Sequence, residues 1–421
     1  MAGNRDSALA ALRVRDFRLY WFGMTLSRLG TAMQVMAIAW HIYLLTREPL
    51  SLGLIGLVQV GPVMAFSLLG GAWADAMSRR RLILVTQGAL LVLSATLAAI
   101  TFNGVATAWM LYVIIFLQAI ASSAGGGAQA AIVPSLVPRE LIPNAIAIKN
   151  LSWSVAGIAG PALGGLFIAH LGLQSVYLCD AVSFLAVVAA VLAARANLDT
   201  VETLAGNSVR ASLAAIRDGF AFMRGNPVLL NLIMLDFVAV IFGEARTLLP
   251  VFAKDILMVG PEGLGLLAGA PAVGAAIGAG LLTFLRPPRW PGRVILLSIL
   301  VYGLCTVVFG ASHWFWLSWV ALLGGGVADT ISMTQRQVIP QIIATEAMRG
   351  RVSGINLFFA NTGNQLGEFE AGAVAHWLGA RASVVCGGLV CVLLALGVSW
   401  RGRTMWDFTI ESVPEAAPVT P

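Results

Sequence analysis

Twelve apolar runs, each about long enough to cross a bilayer, follow one another along this chain. Nothing constrains its fold more. They cover approximately 17–45, 51–74, 82–102, 107–131, 143–170, 173–194, 228–256, 263–285, 293–311, 314–340, 351–376 and 380–400. A helix needs about 20 apolar residues to span the hydrocarbon core. Inside that core every backbone N–H and C=O must be bonded within its own segment, so a run of this kind reads as a helix. The expectation is an all-α membrane protein with 12 transmembrane helices. Of 421 residues, 58% are hydrophobic and 11% charged, against roughly 25% charged in a soluble domain. That composition excludes a soluble enzyme, a disordered chain and a disulfide scaffold.

Charge is confined mainly to the links. Of the 26 basic residues, all but Lys149 and Lys254 are Arg. They gather at Arg13–Arg18, Arg79–Arg81, Arg210–Arg224, Arg286–Arg293, Arg349–Arg351 and Arg401–Arg403. With twelve spans, nineteen of the 26 fall on the side of the termini, and only Arg47, Lys254 and Arg381 fall on the other. Basic loops mark the cytoplasm, so both termini are expected there, in a bacterial-type inner membrane. The same pattern argues against a nucleic-acid surface. Cys179, Cys305, Cys386 and Cys391 lie inside apolar runs with no metal-binding spacing. Trp109, Trp314, Trp316 and Trp377 at outer span ends, and Trp290, Trp400 and Trp406 at inner ones, read as interfacial belts.

The spans form two sets of six. Val133–Gly157 aligns on Ile339–Gly363 without a gap, matching Pro134 with Pro340, Glu140 with Glu346, Asn150 with Asn356, Leu151 with Leu357 and Gly157 with Gly363. Parallel repeats of this kind describe a common secondary-transporter architecture. The expected organisation is an N-terminal six-helix bundle at 15–195, a cytoplasmic linker at 196–227 with an amphipathic helix near Ser212–Arg224, a C-terminal six-helix bundle at 228–401, and a tail at 402–421.

Two motifs carry a family resemblance. Gly71-Ala-Trp-Ala-Asp75-Ala-Met-Ser-Arg79-Arg80-Arg81 follows the second span and resembles the signature loop of the major facilitator superfamily, with Ala76 and Ser78 departing from it. Gly157-Ile-Ala-Gly160-Pro161-Ala-Leu-Gly164-Gly165 in the fifth span is similar to the antiporter motif of drug exporters. Its proline removes a backbone hydrogen bond and its glycines permit close helix contact. Val133–Glu140, Leu249–Ala253 and Arg349–Val352 resemble the branch containing siderophore exporters and macrolide efflux proteins. The resemblance implies two pseudo-symmetric six-helix bundles and proton-driven export of a drug or siderophore. It also implies a cytoplasmic latch, with Asp75 meeting the start of span eleven near Arg351 and Arg79 and Arg80 beside it. The Arg that many drug antiporters carry in span four is absent here; Gln118, Ser122, Ser123 and Gln129 are that span's polar groups.

Ionisable residues inside spans are costly and mark pathways or partners. Span seven carries Asp236, Glu244 and Arg246, with Glu244 about 12 Å beyond Asp236 along a continuous helix. A carboxylate that meets water and low dielectric in turn can take up and release a proton, so Asp236, Glu244 and Glu368 are the proton-coupling candidates. Asp329 and Arg336, seven residues apart on one face of span ten, read as a gating or structural pair that also faces the cavity. Asn361, Asn364 and Gln365 share one face with Glu368 and read as cavity lining, joined by Arg28 and Gln118. Asp180 and Glu370 are expected at the outer interface, and His41, His313 and His376 are expected solvated near outer span ends.

The expected function is secondary active transport of an amphipathic small molecule by alternating access. The proton gradient is its energy source; no cofactor or metal is expected, and a monomer in the lipid bilayer is. No GxxxxGK[ST] phosphate loop is present, which argues against an ATP-driven pump. Alternatives are a lipid or metabolite carrier or importer of the same fold and, remotely, an intramembrane enzyme.

Overall fold

The computed structural model describes residues 9–76, 78–195, 220–221, 224–285, 288–343, 346–401 and 406, with side chains left out at 66–76, 227, 346–347, 349–351, 353, 357, 360–361 and 401. The linker from 196 to 219 and nearly all of the tail fall outside the described residues. Twelve helices match the twelve apolar runs. They are α1 (Arg15–Thr46), α2 (Pro49–Ala76), α3 (Arg79–Phe102), α4 (Ala108–Ala131), α5 (Ile142–Leu171), α6 (Leu173–Ala193), α7 (Pro227–Phe242), α8 (Gly260–Phe284), α9 (Pro291–Ala311), α10 (Phe315–Ile343), α11 (Glu346–Leu378) and α12 (Ala380–Arg401). Ten described helices, counting α7 with its continuation to Ile256, are long and apolar enough to cross a membrane. The described side chains of α2 add the apolar stretch Pro49–Ala65. The remaining helix, α11, is the polar one, with Asn364, Gln365, Glu368 and Glu370 in its second half.

Local chemistry sets the boundaries. Ser78, Thr107 and Asn226 precede α3, α4 and α7, and each side-chain oxygen accepts a hydrogen bond from a free first-turn N–H. The links from α5 to α6 and from α11 to α12 turn on Gly172 (φ +80°) and Gly379 (φ +87°), a region that penalises any Cβ. The outward faces are apolar: Val92, Leu185, Leu297 and Leu393 are all exposed, as lipid-facing side chains are.

The chain divides into two compact units. The first comprises Met1–Arg47, Val58–Val209 and Met258–Gly269; the second comprises Glu48–Leu57, Arg210–Leu257 and Ala270–Pro421. The first turns of α8 join the first unit because α5 and α8 meet backbone to backbone. A Cβ on Gly165 would lie 2.5 Å from the Pro261 carbonyl and 3.2 Å from Gly265 Cα. The first unit is cored by Phe17, Met24, Ile83, Ile132, Ile148 and Val187. The second is cored by Leu229, Ile233, Ile295, Ile299, Ile339 and Ile355.

Span seven departs from the continuous helix expected. α7 ends at Phe242, with the Gly243 N–H bonded to the Ala239 carbonyl at 2.9 Å. The chain resumes as a 3-10 turn at Arg246–Leu248, a turn of α-helix at Leu249–Val251 and a π turn at Phe252–Ile256. Pro250, which has no N–H to give a continuing helix, lies just past the break. At the first turn of α9, Trp290 and Trp406 hold Arg293 between them. The Arg293 guanidinium lies 4.2 Å from one ring centroid and 5.2 Å from the other, and its Nε donates to the Trp406 carbonyl at 3.1 Å.

Candidate functional site

The break in α7 builds the site. Four carbonyls at a helix end lack partners, and here Tyr302 of α9 donates its hydroxyl to the Gly243 carbonyl at 2.7 Å. Past the break, Glu244 Oε1 accepts from the Arg246 N–H at 2.9 Å, which holds the new turn. The two ionic side chains of this interruption therefore leave the helix axis and face a cavity. That cavity, about 530 Å³ of empty space when its open mouth is included, is lined by Ala239, Val240, Glu244, Arg246, Ser298, Ile299, Tyr302, Asp329, Ser332, Arg336 and Asn364. It lies wholly within the second unit, between α7, α9, α10 and α11.

Arg336 is its electrostatic centre. One guanidinium nitrogen bonds Asp236 of α7, and the other reaches Asp329 Oδ1 at 3.3 Å. The pairing of Asp329 with Arg336 follows from their spacing on α10; the further bond to Asp236 does not. Arg336 is 8% exposed, Asp236 15% and Asp329 44%, so the arginine and one acid are buried and the other acid opens to the cavity. Removing one member of such a cluster leaves an uncompensated buried charge. Arg246 is exposed to the cavity, and among the described residues no acid lies within 4.0 Å of its guanidinium.

Of the cavity-lining candidates on α11, Asn364 is exposed and lines this space. Gln365 is half-buried, and the Asn361 side chain lies outside the described ones. Glu368 stands one turn further along. It packs against Gly56 of α2, where a Cβ would come within 2.6 Å of Glu368 Cβ and 2.9 Å of Oε2. Arg246, Tyr302, Ser298 and Ser332 belong to the cavity without having been singled out as site candidates. The interruption Gly243-Glu-Ala-Arg246 before Pro250 was the available signal for the first of them.

Except for Arg351, the remaining candidates lie in the first unit. Arg28 donates to the Lys149 carbonyl at 3.1 Å and lies 4.7 Å from the Trp153 ring centroid. It continues a seam between α1 and α5 in which Trp21 Nε1 bonds the Ile148 carbonyl and Thr25 meets Ser152. Gln118 donates to Gln34 Oε1 at 3.1 Å and to Ser94 Oγ at 3.3 Å. Within the antiporter motif, Gly157 is half-buried. Gly160 and Gly164 bring α5 onto α1 at Ala32 and Met33, Gly165 brings it onto α8, and Pro161 is buried between them. Gly71 and Asp75 sit in the last turns of α2, but their side chains and that of Arg351 lie outside the described ones. Arg79 donates to the Ala131 carbonyl and to Ser135, and Arg80 to the Leu192 carbonyl. Both therefore dock on the negative ends of neighbouring helices.

Two expectations are corrected. His41 is buried rather than solvated, with Nδ1 3.1 Å from the Tyr177 hydroxyl. Asp180 is fully buried rather than interfacial, because α6 turns it inward onto α1 and α3.

Residues 6–408 match the family described as transmembrane secretion effector. Enterobactin exporter EntS of Shigella boydii serotype 18 is 26% identical over 383 residues, covering 91% of this chain and 90% of that protein. EntS of Escherichia coli O139:H28 matches to the same extent. Among solved structures, a bacterial homologue of the human lysosomal transporter Spinster shares 17% identity with a TM-score of 0.69, covering 97% of this chain and 98% of that one. Nucleoside transporter NupG shares 14% with a TM-score of 0.71, covering 94% and 100%. With twelve helices on the major facilitator architecture and a polar cavity inside the second six, the chain belongs to the transmembrane secretion effector family and is a multi-pass membrane transporter.

Proposed function

We propose that this protein exports an amphipathic, siderophore-like small molecule across the bacterial cytoplasmic membrane by proton antiport with alternating access, both termini lying in the cytoplasm. The observation that carries the reading is the cavity holding Glu244, Asp329, Arg246 and Asn364 around the fixed Arg336–Asp236 pair. Its cations suit the oxygen-rich face of a catechol-type siderophore, and its apolar wall of Ala239, Val240 and Ile299 suits the rest. The relatives named enterobactin exporter support that cargo class, and nineteen basic residues on the terminal side support the orientation.

Competition for lone pairs links cargo to proton. Ionised Glu244 and Asp329 accept hydrogen bonds from cargo hydroxyl or amide groups. A proton arriving from outside takes the same lone pairs and releases the cargo there. Asp236 joins this exchange when Arg336 turns to Asp329 alone, and Glu368 extends the acidic row along α11.

The test uses purified protein in liposomes with an imposed proton gradient and a trapped pH dye, with enterobactin added. Wild type is expected to show enterobactin-triggered proton movement, and Glu244→Gln to lose it while still binding enterobactin. Enterobactin movement without proton flow would overturn antiport. Movement of macrolides but not enterobactin would overturn the siderophore assignment.

A further inference from the structure

The first unit buries a carboxylate that this mechanism does not use. Asp180 of α6 is 0% exposed. Ser94 Oγ of α3 donates to its Oδ2 at 2.7 Å, and Thr31 Oγ1 of α1 donates to its Oδ1 at 3.3 Å. Ser94 has one hydrogen and two lone pairs. Gln34 Nε2 at 2.8 Å and Gln118 Nε2 at 3.3 Å occupy the lone pairs. The hydroxyl hydrogen is thereby committed to Asp180, and the amides orient the site. Among the described residues no cation lies within 4.0 Å of this carboxylate.

The charged and titratable groups on the packed helices are placed elsewhere. On α1, His41 is bonded to Tyr177, Arg28 is bonded to the Lys149 carbonyl, Tyr20 and Tyr43 are buried, and Arg15, Asp16 and Arg18 lie in the first turn. α3 brings only Arg79, Arg80 and Arg81, at its first turn, and α4 brings Tyr112. α5 brings Lys149 and His170, the latter 3.1 Å from Glu262. α6 itself adds Tyr177 and Cys179.

Asp236 has Arg336 as its counter-ion. An acid with no polar partner in an apolar interior has no reason to ionise. Asp180 has hydroxyl donors on both oxygens and no counter-ion, the arrangement in which both protonation states find hydrogen bonds. At Thr31 the cluster reaches the surface of the unit. Gln34, Ser94 and Asp180 are buried, but Thr31 is exposed. A hydroxyl passes a proton by accepting one and giving one up. The packing is built around the group: a Cβ on Gly30 of α1 would lie 3.0 Å from Asp180 Oδ1 and 2.6 Å from Ser183 Oγ.

We propose that Asp180, with Thr31 and Ser94, is a reversible proton-binding site in the first unit, a second proton carrier beside the acids of the cavity. A proton entering past Thr31 binds a carboxylate oxygen. On Oδ1 the new O–H then donates to Thr31 Oγ1, whose own hydrogen turns to the helix carbonyl one turn back, while Ser94 keeps its bond to Oδ2. Release reverses these steps. The role in transport rests on the antiport reading above; the binding of a proton does not.

Infrared difference spectroscopy of the purified protein between acidic and basic buffers separates the two. Wild type is expected to show the carbonyl stretch of a protonated carboxyl that comes and goes with pH, and Asp180→Asn to lose that band. Should Asp180→Asn not fold, Thr31→Val and Ser94→Ala are expected to move the midpoint of the same band. Identical spectra in wild type and all foldable variants overturn the proposal. So does a band that responds to sodium at fixed pH, because the site then takes a metal cation. In liposomes, Asp180→Asn is expected to keep enterobactin exchange and lower the protons moved per cargo. An unchanged ratio overturns the transport role, whereas absence of proton movement in wild type defeats only the antiport reading.

Discussion

In the first unit four neutral polar side chains gather about one carboxylate; in the second, one arginine is shared by two acids beside an open cavity. Thr31, Gln34, Ser94, Gln118 and Asp180 come from four helices and leave the carboxylate without a counter-ion. Asp236, Asp329 and Arg336 come from two helices and neutralise much of their own charge. The difference follows from the helices. α1, α3 and α6 are continuous, so their polar side chains meet only where packing brings them together. The seventh span breaks at Gly243, and the interruption delivers Glu244 and Arg246 to a space already edged by Arg336. A two-fold repeated architecture thus carries two unlike polar interiors.

The sharpest way to break the contrast is to remove the shared cation. Arg336→Ala is expected to abolish transport and lower the unfolding temperature in detergent, since stripping one partner from a buried ion pair costs about 3–5 kcal/mol. Adding Asp236→Asn to Arg336→Ala should recover most of that stability but none of the transport. Unfolding of Arg336→Ala at the wild-type temperature would show that the ion cluster contributes little. Next in size is Gly30→Ala. Its Cβ would press on Ser183 and Asp180, and overpacking of this kind costs about 1–3 kcal/mol. Gly61→Ala, with nothing within 4 Å of its Cβ, is the matched control and should unfold like wild type. A smaller effect is expected for Tyr302→Phe, which unbinds the Gly243 carbonyl at about 0.5–1.5 kcal/mol. Its transport rate should fall more than its stability, because the break it supports holds Glu244 and Arg246 at the cavity. A variant with wild-type rate would separate the break from the function.

The helices were legible because hydropathy and backbone bonding are local. The run 143–170 becomes Ile142–Leu171, and the run 380–400 becomes Ala380–Arg401. The break at Gly243 was not legible in hydropathy, although Glu244, Arg246 and Pro250 mark its place. Residues 228–256 remain apolar across it, and hydropathy does not register a bond between Tyr302 and a carbonyl 59 residues away. Asp329 and Arg336 could be paired from their spacing on one helix face. Asp236 joins them across 100 residues, and Asp180 finds Ser94 across 86. Its position near a span end places His41 in water by sequence; the Tyr177 hydroxyl that it meets lies 136 positions away.

The sequence by itself determined that this chain forms twelve helices, because a peptide group in hydrocarbon must find its hydrogen-bond partner within the protein and a helix supplies one locally. Only the tertiary structure decided which acids are paired, which are solitary and which face a cavity. That depends on the rotation and depth of each helix against its neighbours, set by contacts such as Gly165 on α8 and Gly30 over Asp180 rather than by any local pattern.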